Sequence, residues 1–490
     1  MLALLRARRA GELEVDGSLR LQPASAGQGF LLGYVCGILW YAGTCYWIYG
    51  TMRQYGGLST PWALLALFLF CCYLGLYHGF FGLILSVLAS PRDHRRALVI
   101  APFLWVAVEL ARTRITGFPW NLLGIAQVDN QALCRIAAWT GVYGISCEIV
   151  LVNVAVAAAF LVPRAKRGAM LAAAVAAGAA LQAGVLIDAP AAKADRVAVL
   201  VQQNLPVDAN WTPAYFQQTL TDLTELTTKA AGGKVAGTVS LIVWPETPAP
   251  FFTTDVRFRN AVSQMARDTH AWVVAGAIGN DTARSQDGPF FNSAVLVAPE
   301  GAWVGRYDKV HLVPFGEYLP FPSLFSFAGG LTKEVGESAR GYSRAPLAAG
   351  DEQLGVFICY ESVFPDEVRQ FARDGAQVLV NISNDGWYGD SGAWAQHLSQ
   401  TRMRAIENNR WVLGTADTGA TASIDPWGRI VARVPRKERI TLLAPYALNS
   451  VTTFYTRHGD WFAFACAIIS LGALITRFTP SKNRKADTSS

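Results

Sequence analysis

Charge is scarce in this sequence, and its uneven distribution divides the chain into two kinds of region. Of the 490 residues, 16% are charged and 52% are hydrophobic, whereas an average soluble domain has about 25% charged residues. Long apolar runs fill the first 190 residues and recur near the C-terminus, while residues 196–447 have an ordinary globular composition. A stretch of that length buries a full core by itself. The composition therefore indicates a membrane protein with one large soluble domain.

A strong excess of positive charge is also missing. The net charge is +6, and most basic residues lie in short loops beside apolar runs. That placement indicates membrane topology and argues against a nucleic acid partner.

Paired cysteines are absent, because none of the eight shows the CxxC spacing of a zinc or redox site. All but Cys359 lie in or beside apolar segments. No cluster with metal-ligand spacing is apparent, so we expect neither a metal nor another cofactor. The soluble domain holds one unpaired cysteine, which is either an inert buried thiol or a nucleophile.

Six segments are apolar enough to predict membrane spans of about 20 residues. They lie at 28–49, 62–90, 97–111, 141–162, 168–187 and 460–478. Basic residues cluster in alternate loops, which predicts that these loops are cytoplasmic. The four clusters are Arg6, Arg8 and Arg9 at the N-terminus, Arg92, Arg95 and Arg96 after the second span, Arg164, Lys166 and Arg167 after the fourth, and Arg477, Lys482, Arg484 and Lys485 after the sixth. The soluble domain follows an odd number of spans and is predicted to face the other side. The first 25 residues lack the apolar core of a cleaved signal peptide.

Two shorter features of the membrane region bear on this topology. The loop 112–140 is predicted to lie on the outer side although it carries Arg112, Arg114 and Arg135, which is against the charge rule. Within it, GFPWNLLG (117–124) is either an interfacial aromatic anchor or a re-entrant segment that shapes a lipid entrance.

The soluble domain alternates strand-like and helix-like segments. Short, nearly continuous apolar runs predict buried strands, and the stretches between several of them predict helices, which together favour a layered α/β architecture. The predicted strands are 197–204, 240–246, 271–278, 293–299, 354–361 and 376–385, and the predicted helices are 212–229, 256–269 and 364–373.

Three reactive side chains stand at or after such strands, namely Glu246, Lys309 and Cys359. A thiol is mostly protonated near neutral pH, and a carboxylate can accept its proton during attack. An ammonium can stabilise the resulting oxyanion, and Glu317 could orient the lysine or the base. Each residue also has a plain structural interpretation: a loop start for Glu246, a solvated charge for Lys309, and core packing for Cys359.

The residues alone leave a second kind of base open. His311 and His397 are alternatives to Glu246 in a Cys–His pair.

The motifs WPE, DKVHLVPFGEYLP and ICYES, in this order and at this spacing, resemble the nitrilase superfamily of carbon–nitrogen hydrolases. The resemblance implies an αββα sandwich and a Glu–Lys–Cys triad formed by Glu246, Lys309 and Cys359. The flanking spans and three further motifs, GFPW, NISNDGWYG and QHLSQTRMRAIENNR, extend the resemblance. Taken together, nearly the whole chain resembles the apolipoprotein N-acyltransferase family.

That resemblance implies transfer of an acyl chain from a phospholipid to the N-terminal amine of the diacylglyceryl-cysteine of an apolipoprotein. It implies a thioester intermediate and a multi-pass protein of the bacterial inner membrane whose catalytic domain is periplasmic. Trp211, Tyr360 and Glu361 match family positions that contact substrate or support activity. The runner-up is a membrane-tethered amidase, in which water takes the acyl group.

The expected organisation has three parts. They are a transmembrane region of about five spans (1–195), a nitrilase-like catalytic domain (196–447), and a last span with a cytoplasmic tail (448–490). The family usually carries two more spans before 28–49, and the opening MLALLRARRAGELE resembles the loop that follows them. The apolar segment 321–332 is predicted either to cover the active site or to dock on the spans.

Overall fold

Two structural units make up the described part of the chain, a group of apolar helices and a two-sheet domain. The computed structural model describes residues 24–89, 94–161, 164–233, 237–280, 289–318 and 338–479. The predicted covering segment 321–332 lies outside these residues. So do several residues of the basic clusters, namely Arg6, Arg8, Arg9, Arg92, Lys482, Arg484 and Lys485.

The apolar helices account for most of the predicted spans. In the described residues, four are long and apolar enough to cross a membrane, or five if the pair bent by 58° near residue 45 counts as one span. The helices of this unit are Ala26–Thr44, Trp47–Gln54, Thr60–Leu88, Arg95–Ala111, Gln131–Cys134, Ala137–Thr140, Val142–Leu161, Arg164–Gln182 and Trp461–Phe478.

The segment 97–111, which the sequence predicts to be a membrane span, is not among the helices long enough to cross a membrane. Its helix, Arg95–Ala111, has 17 residues and continues into a wider π-helical turn, Arg112–Thr116. The regular helix ends there because Arg112 is buried and donates hydrogen bonds to the carbonyls of Phe118 (2.9 Å) and Trp120 (2.7 Å). Six full spans are therefore not found in the described residues.

The first two long helices pack closely through glycines. A Cβ on Gly33 would lie 2.2 Å from the carbonyl oxygen of His78, and one on Gly82 would lie 2.2 Å from that of Gly29. Small residues at four-residue spacing let apolar helices approach in this way.

The soluble domain contains two six-stranded sheets. Their strand orders are β12-β1-β2-β3-β4-β5 and β11-β10-β9-β8-β7-β6. The bounds are β1 Arg196–Gln202, β2 Val239–Val243, β3 Trp272–Asn280, β4 Phe290–Val297, β5 Trp303–Asp308, β6 Leu347–Ala349, β7 Glu352–Ile358, β8 Val378–Ser383, β9 Val412–Ala416, β10 Ala422–Ile424, β11 Ile430–Arg433 and β12 Ile440–Tyr446.

The sheets pack face to face with helices outside them. Ala198 and Leu200 of β1 join the core shared with the other sheet, whereas Val199 and Val201 join a core with the outer helices. This alternation follows from the two-residue period of a strand. The helices are Pro213–Ala231, Val256–Thr269, Pro365–Arg373, Ala393–Asn408 and Phe454–His458. The arrangement confirms the predicted αββα sandwich.

All six predicted strands and all three predicted helices of this domain are present. Parallel pairing of β1 with β2, β2 with β3, β7 with β8, and β8 with β9 explains the nearly continuous apolar character of most of these strands.

Ion pairs and helix contacts attach the sandwich to the membrane helices. Arg114 bridges Asp366 (3.0 Å) and Asp460 (2.6 Å). The carboxylate of Glu407 accepts a hydrogen bond from the N–H of Val142, at the start of a candidate span (3.0 Å). The loop 112–140 therefore lies against the catalytic domain.

Candidate active site

The three predicted reactive residues each follow a strand. Glu246 comes after β2, Lys309 directly after β5, and Cys359 directly after β7. The first two strands belong to one sheet and the third to the facing sheet, so the side chains meet between the two layers. All three are buried, and Lys309 is only 1% exposed.

The ammonium of Lys309 bridges two carboxylates. Its Nζ donates to Oε1 of Glu317 at 2.9 Å and to Oε1 of Glu246 at 3.2 Å. Burial alone would lower the pKa of Lys309, but the charges of Glu246 and Glu317 outweigh it and raise that pKa above its usual value. The lysine is therefore an ammonium at neutral pH.

Amide groups complete the coordination of both carboxylates. Nδ2 of Asn292, on β4, donates to Oε1 of Glu246 (2.7 Å) and of Glu317 (2.8 Å). The second oxygen of Glu246 accepts from the N–H of Asn384 (2.8 Å), and that of Glu317 from the N–H of Val313 (2.8 Å). Two carboxylates and one ammonium give this cluster a net charge of −1.

Cys359 begins a 3₁₀ turn, Cys359–Val363, in an unusual backbone conformation. Its φ is +50°, a region that few non-glycine residues adopt and that often marks functional sites. Burial raises the pKa of the Cys359 thiol well above its usual range, Glu246 raises it further, and Lys309 opposes both. The resting group is a thiol, so attack on a substrate requires that its proton be removed.

Glu361 connects the segments that carry Lys309 and Cys359. Its oxygens accept hydrogen bonds from the hydroxyl of Tyr307 (2.8 and 2.9 Å) and from the N–H groups of Val310 (2.8 Å), His311 (3.0 Å) and Ile358 (2.8 Å). With so many partners, Glu361 holds the two strand ends together.

Tyr360 connects the catalytic domain to the GFPW loop. Its hydroxyl donates to the carbonyl of Gly117 (3.3 Å), and its ring stacks on Trp120 with centroids 6.3 Å apart. Trp120 is fully buried and donates through Nε1 to Oε1 of Gln396 (2.7 Å). In this structure the GFPW loop packs against the turn that carries Cys359.

The histidine alternatives do not pair with the thiol. Nδ1 of His311 contacts Glu367 at 2.9 Å. Nδ1 of His397 contacts Asp385 (3.0 Å), and its Nε2 contacts the backbone carbonyl oxygen of Cys359 (3.0 Å). Both nitrogens of His397 are therefore engaged by groups other than the thiol, and the role of Glu246 as base stays a prediction.

Trp211 lies apart from these contacts. It is half-buried, stacks on Tyr215 with centroids 5.0 Å apart, and packs against the core between one sheet and its outer helices. Its contact with substrate stays a prediction.

Sequence reasoning missed Asn292, Asn384 and Asp385 as parts of the site. The last two belong to the quoted NISNDGWYG, where polar residues directly follow a buried strand, and that position was the available signal. Across the described residues, no group of three or more His, Cys, Asp or Glu side chains is placed to hold a metal ion.

Comparisons with known proteins agree with this architecture. Residues 196–455 match the carbon-nitrogen hydrolase family, and residues 18–155 match the apolipoprotein N-acyltransferase N-terminal domain. The chain is 35% identical to the apolipoprotein N-acyltransferase of Geobacter metallireducens over 455 residues, which cover 90% of this chain and 85% of that one. It is 32% identical to that of Methylococcus capsulatus over 459 residues, 93% and 88% of the two chains.

A solved carbon-nitrogen hydrolase from Helicobacter pylori G27 aligns with 51% of this chain and 88% of its own length, at 17% identity and a TM-score of 0.39. The protein is an N-acyltransferase, and the chain belongs to the apolipoprotein N-acyltransferase family.

Proposed function

We propose that this protein transfers an acyl chain from a phospholipid to the N-terminal amine of the diacylglyceryl-cysteine of an apolipoprotein, through a thioester on Cys359. The observation that carries the proposal is the buried cluster in which Lys309 bridges Glu246 and Glu317. Its charges act on a thiol whose turn packs against the GFPW loop of the membrane region. A lipid-derived acyl donor would reach such a site from the bilayer.

In the first half-reaction, Sγ of Cys359 attacks the ester carbonyl carbon of the phospholipid, and Glu246 accepts the thiol proton. Lys309 stabilises the oxyanion, together with the N–H of Tyr360. The C–O bond then breaks, and the leaving alcohol takes the proton from Glu246. A lysophospholipid departs and a thioester remains.

In the second half-reaction, the apolipoprotein amine attacks the thioester carbonyl. Glu246 takes a proton from the attacking nitrogen, the C–S bond breaks, and the proton returns to the sulfur of Cys359. Splitting one transfer into two steps in this way is ordinary covalent catalysis.

The supporting residues have separate roles in this proposal. Glu317 holds the ammonium of Lys309 between two carboxylates, and Glu361 holds the strand ends that carry the triad. Tyr360 couples the nucleophile turn to the membrane loop. Trp211 is proposed to contact a substrate chain.

The proposed location is the bacterial inner membrane, with the catalytic domain on the periplasmic side and the domain bounds 1–195, 196–447 and 448–490. The contacts of Arg114 with Asp366 and Asp460 support placing loop 112–140 on the same side as that domain. The proposed partners are the bilayer, the phospholipid donor and the apolipoprotein acceptor, without nucleic acid or cofactor.

Mass spectrometry of Cys359 tests the thioester directly. Purified full-length protein is incubated with labelled phospholipid, and we expect an acyl adduct on Cys359 that moves to a diacylated lipopeptide when this acceptor is added. Cys359→Ala abolishes the adduct, and the exposed Cys36→Ser is the control that keeps it. Free fatty acid without acylated peptide would instead identify the membrane-tethered hydrolase.

A further inference from the structure

The imidazole of His397 lies between a carboxylate and the backbone of the nucleophile. Nδ1 is 3.0 Å from Oδ1 of Asp385, and Nε2 is 3.0 Å from the carbonyl oxygen of Cys359. His397 and Asp385 are each only 2% exposed. Nothing in the mechanism above uses either residue.

The two partners of this ring are both acceptors. A carboxylate and a carbonyl oxygen accept hydrogen bonds, and a neutral imidazole has only one N–H. The doubly protonated imidazolium satisfies both contacts. Burial would lower the pKa of His397, but Asp385 outweighs burial and raises it above its usual value.

Asp385 is itself held in place. Its Oδ1 accepts from the hydroxyl of Ser383 (3.3 Å), and its Oδ2 faces the N–H of Ala420 (3.4 Å). A Cβ at Gly419 would come within 2.0 Å of Oδ2, so the glycine leaves room for the carboxylate. These contacts keep the acceptor for His397 in one position.

The carbonyl that His397 contacts belongs to the same rigid peptide unit as the N–H of Tyr360. In a trans peptide these two groups point in opposite directions. Holding the carbonyl on one side therefore fixes the direction of the N–H on the other side. Cys359 itself has a left-handed φ of +50°.

A side chain of the membrane region stacks on the imidazole ring of His397. Trp120 of the GFPW loop stacks on His397 with an interplanar angle of 3° and centroids 6.1 Å apart. Parallel offset stacking at such distances is favourable, and it stabilises the ring orientation that both hydrogen bonds require.

We propose that Asp385 and His397 form a positioning dyad, in which the imidazolium fixes the peptide unit after Cys359 and thereby aims the N–H of Tyr360 at the oxyanion. The dyad deepens the proposed function, because it acts on the same acyl-enzyme step. His397 touches no reacting atom in this scheme, so it is a positioning residue.

Two substitutions separate positioning from packing. His397→Leu removes both hydrogen bonds. In His397→Gln, the amide nitrogen of Gln is separated from Cβ by the same number of bonds as Nε2 of His. The amide N–H can therefore take the place of the Nε2–H, but the Gln side chain carries no charge. His270→Gln, at an exposed helix end, is the matched control.

The assay follows acylation of Cys359 in the detergent-solubilised full chain with two donors, a phospholipid and p-nitrophenyl butyrate. We expect His397→Leu to lower kcat about 10- to 100-fold with little change in KM, because losing one oxyanion donor costs about 100- to 1000-fold and a misaimed donor costs less. His397→Gln should recover kcat to within about fivefold of wild type, and His270→Gln should match wild type.

The pH profile gives a second readout. The wild-type rate should fall as pH rises through the raised pKa of His397, because Nδ1 keeps its proton beside Asp385 and Nε2 loses the proton that it donates to the Cys359 carbonyl. The Gln variant keeps its N–H at every pH and should lack this fall. The other ionisable groups around the ring are Asp385, Tyr388, Cys359 and Glu246, with Arg436 near Asp385, and none of them differs between the two proteins.

The dyad is refuted if His397→Leu reacts as fast as wild type, if Gln is no faster than Leu, or if the Gln variant keeps the falling limb. The rates measured with p-nitrophenyl butyrate are sufficient to test the dyad, whatever the result with phospholipid. A wild-type enzyme that reacts with the butyrate ester but not with phospholipid would overturn the proposed donor and leave the dyad to be judged on the ester.

Discussion

Replacing Glu246 with Gln should change two reactions of Cys359 in opposite directions. The side chain keeps its size, and its oxygen can still accept from Asn292 or the N–H of Asn384, as the carboxylate does. What the substitution removes is the negative charge and the ability to accept a proton. Acyl transfer needs the base, whereas alkylation by iodoacetamide needs only the thiolate.

The magnitudes follow from the site. A positioned general base contributes about 100- to 10,000-fold, so acyl transfer should fall by at least about 100-fold. Burial and Glu246 together hold the pKa of the Cys359 thiol high, and removing that charge favours the thiolate. Two unit charges about 5 Å apart interact by about 3 kcal/mol at an effective dielectric constant of 20. Half of this energy is enough to raise alkylation at fixed pH about tenfold.

Both rates are measured on the same preparation. Thioester formation is followed by mass spectrometry with labelled phospholipid, and alkylation is followed by loss of free Cys359 at several pH values. Glu225→Gln, at an exposed helix position, is the matched control and should alter neither rate. Acyl transfer that survives Glu246→Gln, or alkylation that slows, would refute the assignment of Glu246 as a proton acceptor whose charge suppresses the thiolate.

Two further substitutions test contacts around the site, and a third tests Asp417, a buried residue directly after β9 whose carboxylate accepts from the N–H of Leu205 (3.2 Å). Lys309→Met leaves two buried carboxylates without their cation, so we expect a loss of about 3–5 kcal/mol in a denaturant titration and no detectable thioester; unchanged stability would contradict the bridging role. Glu361→Gln turns one accepting oxygen into a donor that faces other donors. The free energy of unfolding should fall by about 2–3 kcal/mol, and the melting temperature by about 5–10 °C. An unchanged melting curve would argue against the role of Glu361 in joining the strand ends. Burial raises the pKa of Asp417 to about 7, so its contribution to stability is present below the unfolded value of 3.8 and is lost as pH rises through 7. Asp417→Asn should therefore stabilise the protein at pH 8, by up to about 4 kcal/mol, and have little effect at pH 4; equal effects at both pH values would show that the charge is not responsible.

Hydropathy and periodicity predicted β1 to β4, β7 and β8, and missed β5, β6 and β9 to β12, although β9 is buried at every residue. β5 alternates exposed and partly buried residues at a sheet edge, and β6 and β10 have three residues each. Such strands acquire their conformation from the partner strand, which lies elsewhere in the sequence. The helix Arg95–Ala111 was predicted as a span from its apolar character, but its end depends on where the guanidinium of Arg112 finds carbonyl acceptors.

The sequence by itself determined the order and chemistry of the reactive groups, because each of Glu246, Lys309 and Cys359 stands beside its own apolar strand or motif. Tertiary structure decided their charge environment. Lys309 meets Glu246 from 63 residues away, and Glu317 lies on the other side of the same ammonium. Burial in the folded chain is the main cause of the raised pKa of the Cys359 thiol; the charge of Glu246 adds to it, and that of Lys309 opposes both.

Tertiary structure also determined what the ring of His397 contacts. The residues alone did not exclude His397 as a base for Cys359, whereas the family resemblance favoured Glu246. The fold directs its ring to the backbone carbonyl of Cys359 and to Asp385, and stacks Trp120 of the membrane loop on it. Residue types specify what a side chain can donate or accept, but only the packed chain specifies the direction in which it does so.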